Sequence, residues 1–316
     1  MSIVDRKSHV ARRGSRTLVA ATFVLSVLVL LVACGKGGTA VVKPTSSPAT
    51  IPRLETIATL HNMLPASNRA SGELVFDTVP NPPWAIVGAD GSVESGVDID
   101  LGNALAQLLG LRLRTVLVGD AATLLAGISA GRYDTFLGPL GITAQRKQTL
   151  YELIWVTNTF YFEVQKDSPI HSVGDLCGKN VAVLTGTIGA TSVVPGASQA
   201  DCVAQGKPPI SMVSFATDPE AQLAVKAGRA DAYALSDASC VYSVRQPGGK
   251  TLRCVVPEPT DNIAVNKAAL AVSNQNPQLL NALKAALEEL YRRGVYQKIM
   301  AKWGLEHDMI TEFVLG

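Results

Sequence analysis

Apolar and polar positions along the chain fall into three regimes. Residues 18–32 (LVAATFVLSVLVLLV) are almost wholly apolar, and residues 35–50 (GKGGTAVVKPTSSPAT) show no apolar period. From about Gly72, short β-rich runs alternate with longer runs at helical spacing. Such alternation marks an α/β protein. Residues 74–79 and 111–118 predict strands flanking a helix over 99–109, whose start Asp98 or Asp100 is placed to cap. A helix over 121–130 ends at Gly131 and a strand follows at 133–137. Residues 143–150 predict a short helix beginning at a Thr cap, and 160–165 is extended and aromatic.

After that segment the same grammar starts again. It predicts a strand at 180–184, a helix from Gly186, a strand at 210–215 and a helix over 218–227 ending at Gly228. A strand at 231–235, a helix near Asp237 and a strand at 251–256 complete the second series. The unit "helix, Ala-Gly-Arg, short strand" occurs twice, as SAGRYDTFL at 129–137 and KAGRADAYAL at 226–235. Two similar α/β lobes built from one chain account for it most simply. Residues 262–266 are extended. The C-terminal part is helical over 277–293, breaks at Gly294, and resumes over 295–303.

The N-terminal regime changes the expected location. Arg6, Lys7, Arg12, Arg13 and Arg16 precede the apolar run, and Leu31-Val32-Ala33 leads to Cys34. A run of fifteen residues is short for a membrane-spanning helix, which needs about 20, but it suits a secretory signal. Residues 1–33 therefore predict a lipoprotein signal peptide, with Cys34 acylated and left as the new N-terminus. Residues 34–50 predict a lipidated cysteine and flexible tether, since so Gly/Ser/Thr/Pro-rich a stretch buries too little apolar surface to order itself. The whole chain has 28 Lys+Arg and 26 Asp+Glu. Residues 1–33 hold five and one of these, leaving 23 and 25, a net −2. With no basic stripe in the remainder, nucleic acid is not an expected partner.

Besides Cys34 the chain has Cys177, Cys202, Cys240 and Cys254. An even number in an exported chain reads as disulfides. Three pairings are open, and Cys177–Cys202 with Cys240–Cys254 closes the shortest loops. No CxxC spacing and no nearby His supports a metal site, so neither metal nor cofactor is expected.

Five segments then carry a resemblance: LPASNRASGELVF at 64–76, GVDIDL at 96–101, GPLGITAQR at 138–146, CGKNVAVLTGT at 177–187 and KAALEELYRRGVYQKIMAKWG at 284–304. In this order they resemble the polar-amino-acid family of extracellular substrate-binding proteins of ABC importers. The likeness runs over nearly the whole region from 64 to 313. It implies a two-lobed, periplasmic-binding-protein-like (type II) α/β fold with a two-strand hinge and a ligand cleft between the lobes. Lobe 1 takes 51–160 plus 262–316, and lobe 2 takes 161–261. The implied partners are a small-molecule ligand, most readily an amino acid, a membrane permease and the lipid anchor, with the protein a monomer.

For the site, the resemblance implies Arg146 as the group that holds a ligand carboxylate. Two parallel hydrogen bonds from one guanidinium suit that role, and lysine cannot reproduce them. Backbone N–H groups of Gly141 and Thr187 complete the cradle, and the carbonyl of Gly138 accepts from an ammonium. The chain departs from the family pattern in two places. The expected ammonium-binding Asp position is occupied by Ser236, with Asp237 one residue later, either reaching the cleft or capping a helix. The aromatic expected before the Pro-Pro step is Asn81, and Trp84 follows three residues on, either lining the cleft or packing beneath it. The competing class is an enzyme on the same fold, dehydratase-like, and a sensor ectodomain is a third. Hydrolysis asks for a nucleophile beside a His base, yet His9, His61, His171 and His307 all lie outside the cleft motifs. Glu94, Glu163 and Asp237 remain as carboxylates able to approach the site.

Overall fold

The computed structural model describes residues 51–263 and 265–316. The expected signal peptide, Cys34 and tether lie outside the described residues. Helices α1 (Ala58–Asn62) and α2 (Ala66–Ser71) lead into β1 (Glu73–Thr78). A small hairpin of β2 (Ile86–Val87) and β3 (Val93–Ser95) precedes α3 (Val97–Leu109), β4 (Arg112–Leu117), α4 (Ala121–Ser129) and β5 (Phe136–Gly141). The next strands are β6 (Leu150–Asn158), β7 (Phe160–Gln165) and β8 (Asn180–Leu184). A helical run containing α5 (Val194–Ala197) comes before β9 (Ser211–Phe215), α6 (Asp218–Lys226), β10 (Ala232–Ser236), α7 (Asp237–Arg245) and β11 (Leu252–Val255). The chain ends with β12 (Asn266–Ser273), α8 (Pro277–Arg292) and α9 (Val295–Trp303).

Apart from the β2–β3 hairpin, the strands divide between two lobes. In the first lobe β1 pairs in parallel with β4, β12 lies between β5 and β6, and a parallel bridge from Phe76 to Thr135 joins the two groups. Its core gathers Leu101 and Leu105 of α3, Leu283 and Leu287 of α8 and Ile299 of α9 against Phe76, Leu153 and Leu270. Along α8 the buried positions Leu280, Leu283, Leu287 and Leu290 recur every three or four residues, with Leu279 beside them, so one stripe of the helix meets the sheet. Each such leucine contributes roughly 1.5–3 kcal/mol by leaving water. In the second lobe the strand order is β11-β7-β10-β8-β9. Phe162, Val181 and Val183 there form one buried cluster, and Ala221, Val225 and Leu235 belong to another.

The internal repeat has a shared mechanism. Gly131 and Gly228 take φ of +70° and +68°, the left-handed region a side chain would strain. Three residues on, Asp134 Oδ2 accepts from the N–H of Val75 at 2.7 Å, and Asp231 Oδ2 accepts from that of Asn180 at 2.8 Å. Each lobe therefore uses its Asp to tie the segment after the helix to an earlier strand of the same lobe, β1 in the first and β8 in the second.

Several sequence expectations need correction. Residues 143–150 form only one 3₁₀ turn at Arg146–Gln148, although Thr143 Oγ1 does accept from the N–H of Arg146. The chain then enters β6, which sequence periodicity missed. Strand β5 starts at Phe136 rather than at 133. Neither Asp98 nor Asp100 caps α3, whose N-cap is Gly96 without a side-chain bond. Asp98 is buried, and Asp100 Oδ2 instead accepts from Trp303 Nε1 at 2.7 Å and pairs with Lys302. Strand β7 lies wholly in the second sheet, where Phe160 pairs with Ser236, so Thr159 alone separates it from β6 in the first. The return passes between Val255 and Asn266. Cys177 is bridged to Cys202 and Cys240 to Cys254, with Cα separations of 5.4 and 6.0 Å.

Candidate functional site

The cleft lies where the two lobes meet, at the ends of β5 and β6 on one side and of β8 and β10 on the other. It encloses about 890 Å³, open space at its mouth included. Arg146 lines it and reaches both walls. Nη1 donates to the carbonyl of Gly141 at the end of β5, and Nη2 donates to that of Gly186, in the turn after β8, at 2.6 Å. Burial lowers the guanidinium below its ordinary value, and the Glu152 carboxylate opposes that fall. A guanidinium has five N–H donors, and these two bonds leave three for a ligand. The close approach of the lobes here demands a small residue: a Cβ on Gly141 would lie 2.5 Å from Ile188 Cγ2 across the cleft.

The other sequence candidates divide. Gly141, Thr187 and Asn81 line the cleft with Arg146. Gly141 faces Arg146 through its carbonyl. The hydroxyl of Thr187 donates to the carbonyl of Leu184 at 2.8 Å, and its N–H points to the same oxygen at 3.3 Å. Asn81 Oδ1 accepts from Ser239 Oγ of the second lobe at 3.1 Å. Gly138 is buried within β5 and is not part of the cleft wall.

Trp84 is only 1% exposed and sits beneath the wall, edge-on to Trp155 with ring centroids 6.0 Å apart. Asp237 also stays out of the cleft. Its backbone N–H donates to the carbonyl of Thr159, Oδ1 accepts from the N–H of Ala238, and Oδ2 lies 3.4 Å from His307 Nε2. Burial raises its pKa, and the neighbouring backbone N–H and His307 act the other way. The residue that caps α7 is Ser236, whose Oγ accepts from the N–H of Ser239, and Ser236 does line the cleft. The one-residue displacement of the Asp therefore moves its carboxylate off the ligand side and leaves a hydroxyl there.

Residues that sequence reasoning missed supply most of the wall. Leu124, Leu125, Phe136 and Phe160 make it largely apolar, and Asn158 lines it with a buried Oδ1 that has no hydrogen-bond partner. Asp218 also lines it, 4% exposed, with Oδ1 accepting from Tyr233 Oη at 2.5 Å. Asp218 stands first in α6, behind a Thr217–Glu220 capping box, so its position reads from sequence as an ordinary helix start.

A ligand cleft between two α/β lobes, crossed by separate chain segments and floored by the ends of strands, defines a hinged solute-binding protein. The chain belongs to the bacterial extracellular solute-binding proteins, family 3, whose profile matches residues 74–306. It is similar to the arginine-binding protein ArgT of Corynebacterium glutamicum, 28% identical over 241 residues, covering 75% of each chain. A solved substrate-binding protein of an amino acid ABC transporter superposes with TM-score 0.63 at 26% identity, over 73% of this chain and 98% of that one. An ancestral arginine-binding protein bound to arginine gives TM-score 0.63 at 27% identity, over 73% and 98%.

Proposed function

We propose that this chain is the extracytoplasmic receptor of an ABC importer, held at the membrane surface by a lipid on Cys34, and that it captures an amino acid by closure of its two lobes. Arg146 carries this reading: one guanidinium touches backbone carbonyls of both lobes inside the cleft, so a carboxylate bound to it is held where the lobes meet. Ligand in that position favours the closed arrangement, because its contacts to both lobes exist only there. The names of the relatives support an amino acid as the ligand class. Enzymatic turnover is not favoured, since the relatives are named as binding proteins. The two tests are simple. Thermal shift of the purified chain with the common amino acids and their amine-free carboxylate analogues should show stabilisation by an amino-acid class. Response to the amine-free acids alone would refute amino-acid capture. Cys34→Ala should move the protein from the membrane fraction to the soluble one, and unchanged membrane association would remove the lipid anchor.

A further inference from the structure

Among the described residues of the cleft wall, Arg146 and Asp218 are the only two with readily ionised side chains. Asp218 is the less explained. Tyr233 occupies Oδ1, but Oδ2 is buried with no hydrogen-bond partner. Behind it stands a second buried carboxylate. Glu163 of β7 is opposite Tyr233 of β10 in the sheet and is fully buried; burial pushes its pKa up, and Ser243 and Lys226 act the other way. No Lys, Arg or His among the described residues forms an ion pair with either, although the charge of Lys226, in the adjoining cavity, acts on Glu163. Two neighbouring carboxylates taken out of water without a directly paired cation are costly. A helix start explains why an acidic residue suits position 218, but not why a second one is buried behind it.

We infer that Asp218, backed by Glu163, is a second charged subsite of the cleft and takes the cationic end of the bound amino acid's side chain. The subsite presupposes that the ligand's carboxylate is at Arg146, as proposed above. The wall near these groups is furnished by Val79, Leu124, Leu125, Phe136 and Phe160, apolar surface that suits a methylene stem. Asp218 is also a shared wall between the cleft and a neighbouring cavity lined by Gln222, Lys226, Tyr242, Ser243 and Gln246. A terminal ammonium or guanidinium reaching that boundary meets a carboxylate oxygen that is otherwise unused. The α-ammonium has a different acceptor available in Asn158 Oδ1, buried and unpartnered on the same wall. The ligand class is therefore a basic amino acid.

Arginine and citrulline decide the matter, because the two differ in the terminal group by charge and hardly by shape. Calorimetric titration of the full chain extracted in mild detergent should show arginine bound at least 100-fold more tightly than citrulline. In Asp218→Asn that ratio should fall below tenfold, while a purely structural role would weaken both ligands alike or neither. Equal affinity of the native chain for arginine and citrulline or glutamine overturns the subsite and leaves amino-acid capture standing. Equal weakening of all three by the substitution also overturns it, since Asp218 then serves a group they share. Absence of binding by every amino acid overturns both readings together. If the variant does not fold, the native chain still tests the subsite. Burial holds the Asp218 carboxyl at about 7, so at pH 7 arginine binding should release about half a proton, read from titrations in buffers of different ionisation enthalpy, and citrulline almost none. Equal release with both ligands rejects the subsite.

Discussion

Trp84 Nε1 donates to Ser236 Oγ at 3.4 Å, from the first lobe to the second. Ser236 Oγ donates to Ser239 Oγ at 2.9 Å, and that hydroxyl donates to Asn81 Oδ1 at 3.1 Å, back in the first lobe. The three bonds form a relay that exists only while the lobes touch. Trp84 is thus a built-in reporter of closure. Titration with a bound amino acid should change tryptophan emission, and Trp84→Phe should remove that ligand-dependent change while Trp155 and Trp303 remain. A signal that survives the substitution would place the closing surface elsewhere. Ser236→Ala, which removes both the relay and the α7 cap, should cost about 1–2 kcal/mol of stability and weaken ligand binding as well.

Asp237 behaves differently because its carboxylate is turned toward His307. His307 is 61% exposed, so water screens its contact with Asp237, which is worth at most about 1 kcal/mol. Asp237→Asn should therefore change the Kd for the amino acid by no more than about fivefold, measured by titration calorimetry. A loss of 100-fold or more would mean that Asp237 turns into the cleft and binds the ligand directly.

Arg146 allows a sharper contrast. Arg146→Ala should weaken amino-acid binding by about 100-fold or more, as expected for removal of a charge-assisted, two-point contact. Arg146→Lys keeps the charge but not the fork that spans Gly141 and Gly186. It should recover less than a tenth of the lost affinity. Full recovery by lysine would show that charge alone matters, and the geometry described here would not be the basis of capture.

Much of this architecture was legible because it rests on local patterns. The repeated Ala-Gly-Arg unit announces two lobes, since a left-handed glycine ends each helix and an Asp ties each following strand. Arg146 was legible through its motif. Strand β6 was not: its buried residues on both faces give YELIWVTN no alternation, and the preceding TAQRKQT suggests a helix that tertiary packing cuts to a single turn. Asp218, Asn158 and the apolar walls come together only through the pairing of distant strands, so no spacing along the chain marks them. The difference between Ser236 and Asp237 is a matter of one residue at a strand end, where successive side chains leave in different directions.

The pH dependence of stability follows from carboxyls that burial pushes up. Asp77 is raised to about 8, and Asp218 and Asp308 to about 7, with desolvation the largest cause in each. A carboxyl whose folded pKa lies above its unfolded value, about 3.9, binds its proton more tightly when folded. Its contribution is fully present below about pH 4 and is lost as pH rises through 7 to 8. Glu289 runs the opposite way: hydrogen bonds from Arg292, and from Arg293 beside it, hold it at about 2, so its contribution is lost only in stronger acid. The melting temperature of the ligand-free chain should therefore fall between pH 5 and pH 8. Asp77 is fully buried with both oxygens unpartnered, so Asp77→Asn removes an ionisation that alkaline pH forces on the fold. Relative to its effect at pH 5, the substitution should raise stability at pH 8 by roughly 3–4 kcal/mol and flatten the slope between them. Thermal melts of the two proteins across that range check it. A parallel offset at every pH would mean that Asp77 does not titrate there and that the pH dependence comes from the other carboxyls that burial raises, Asp218 and Asp308 among them.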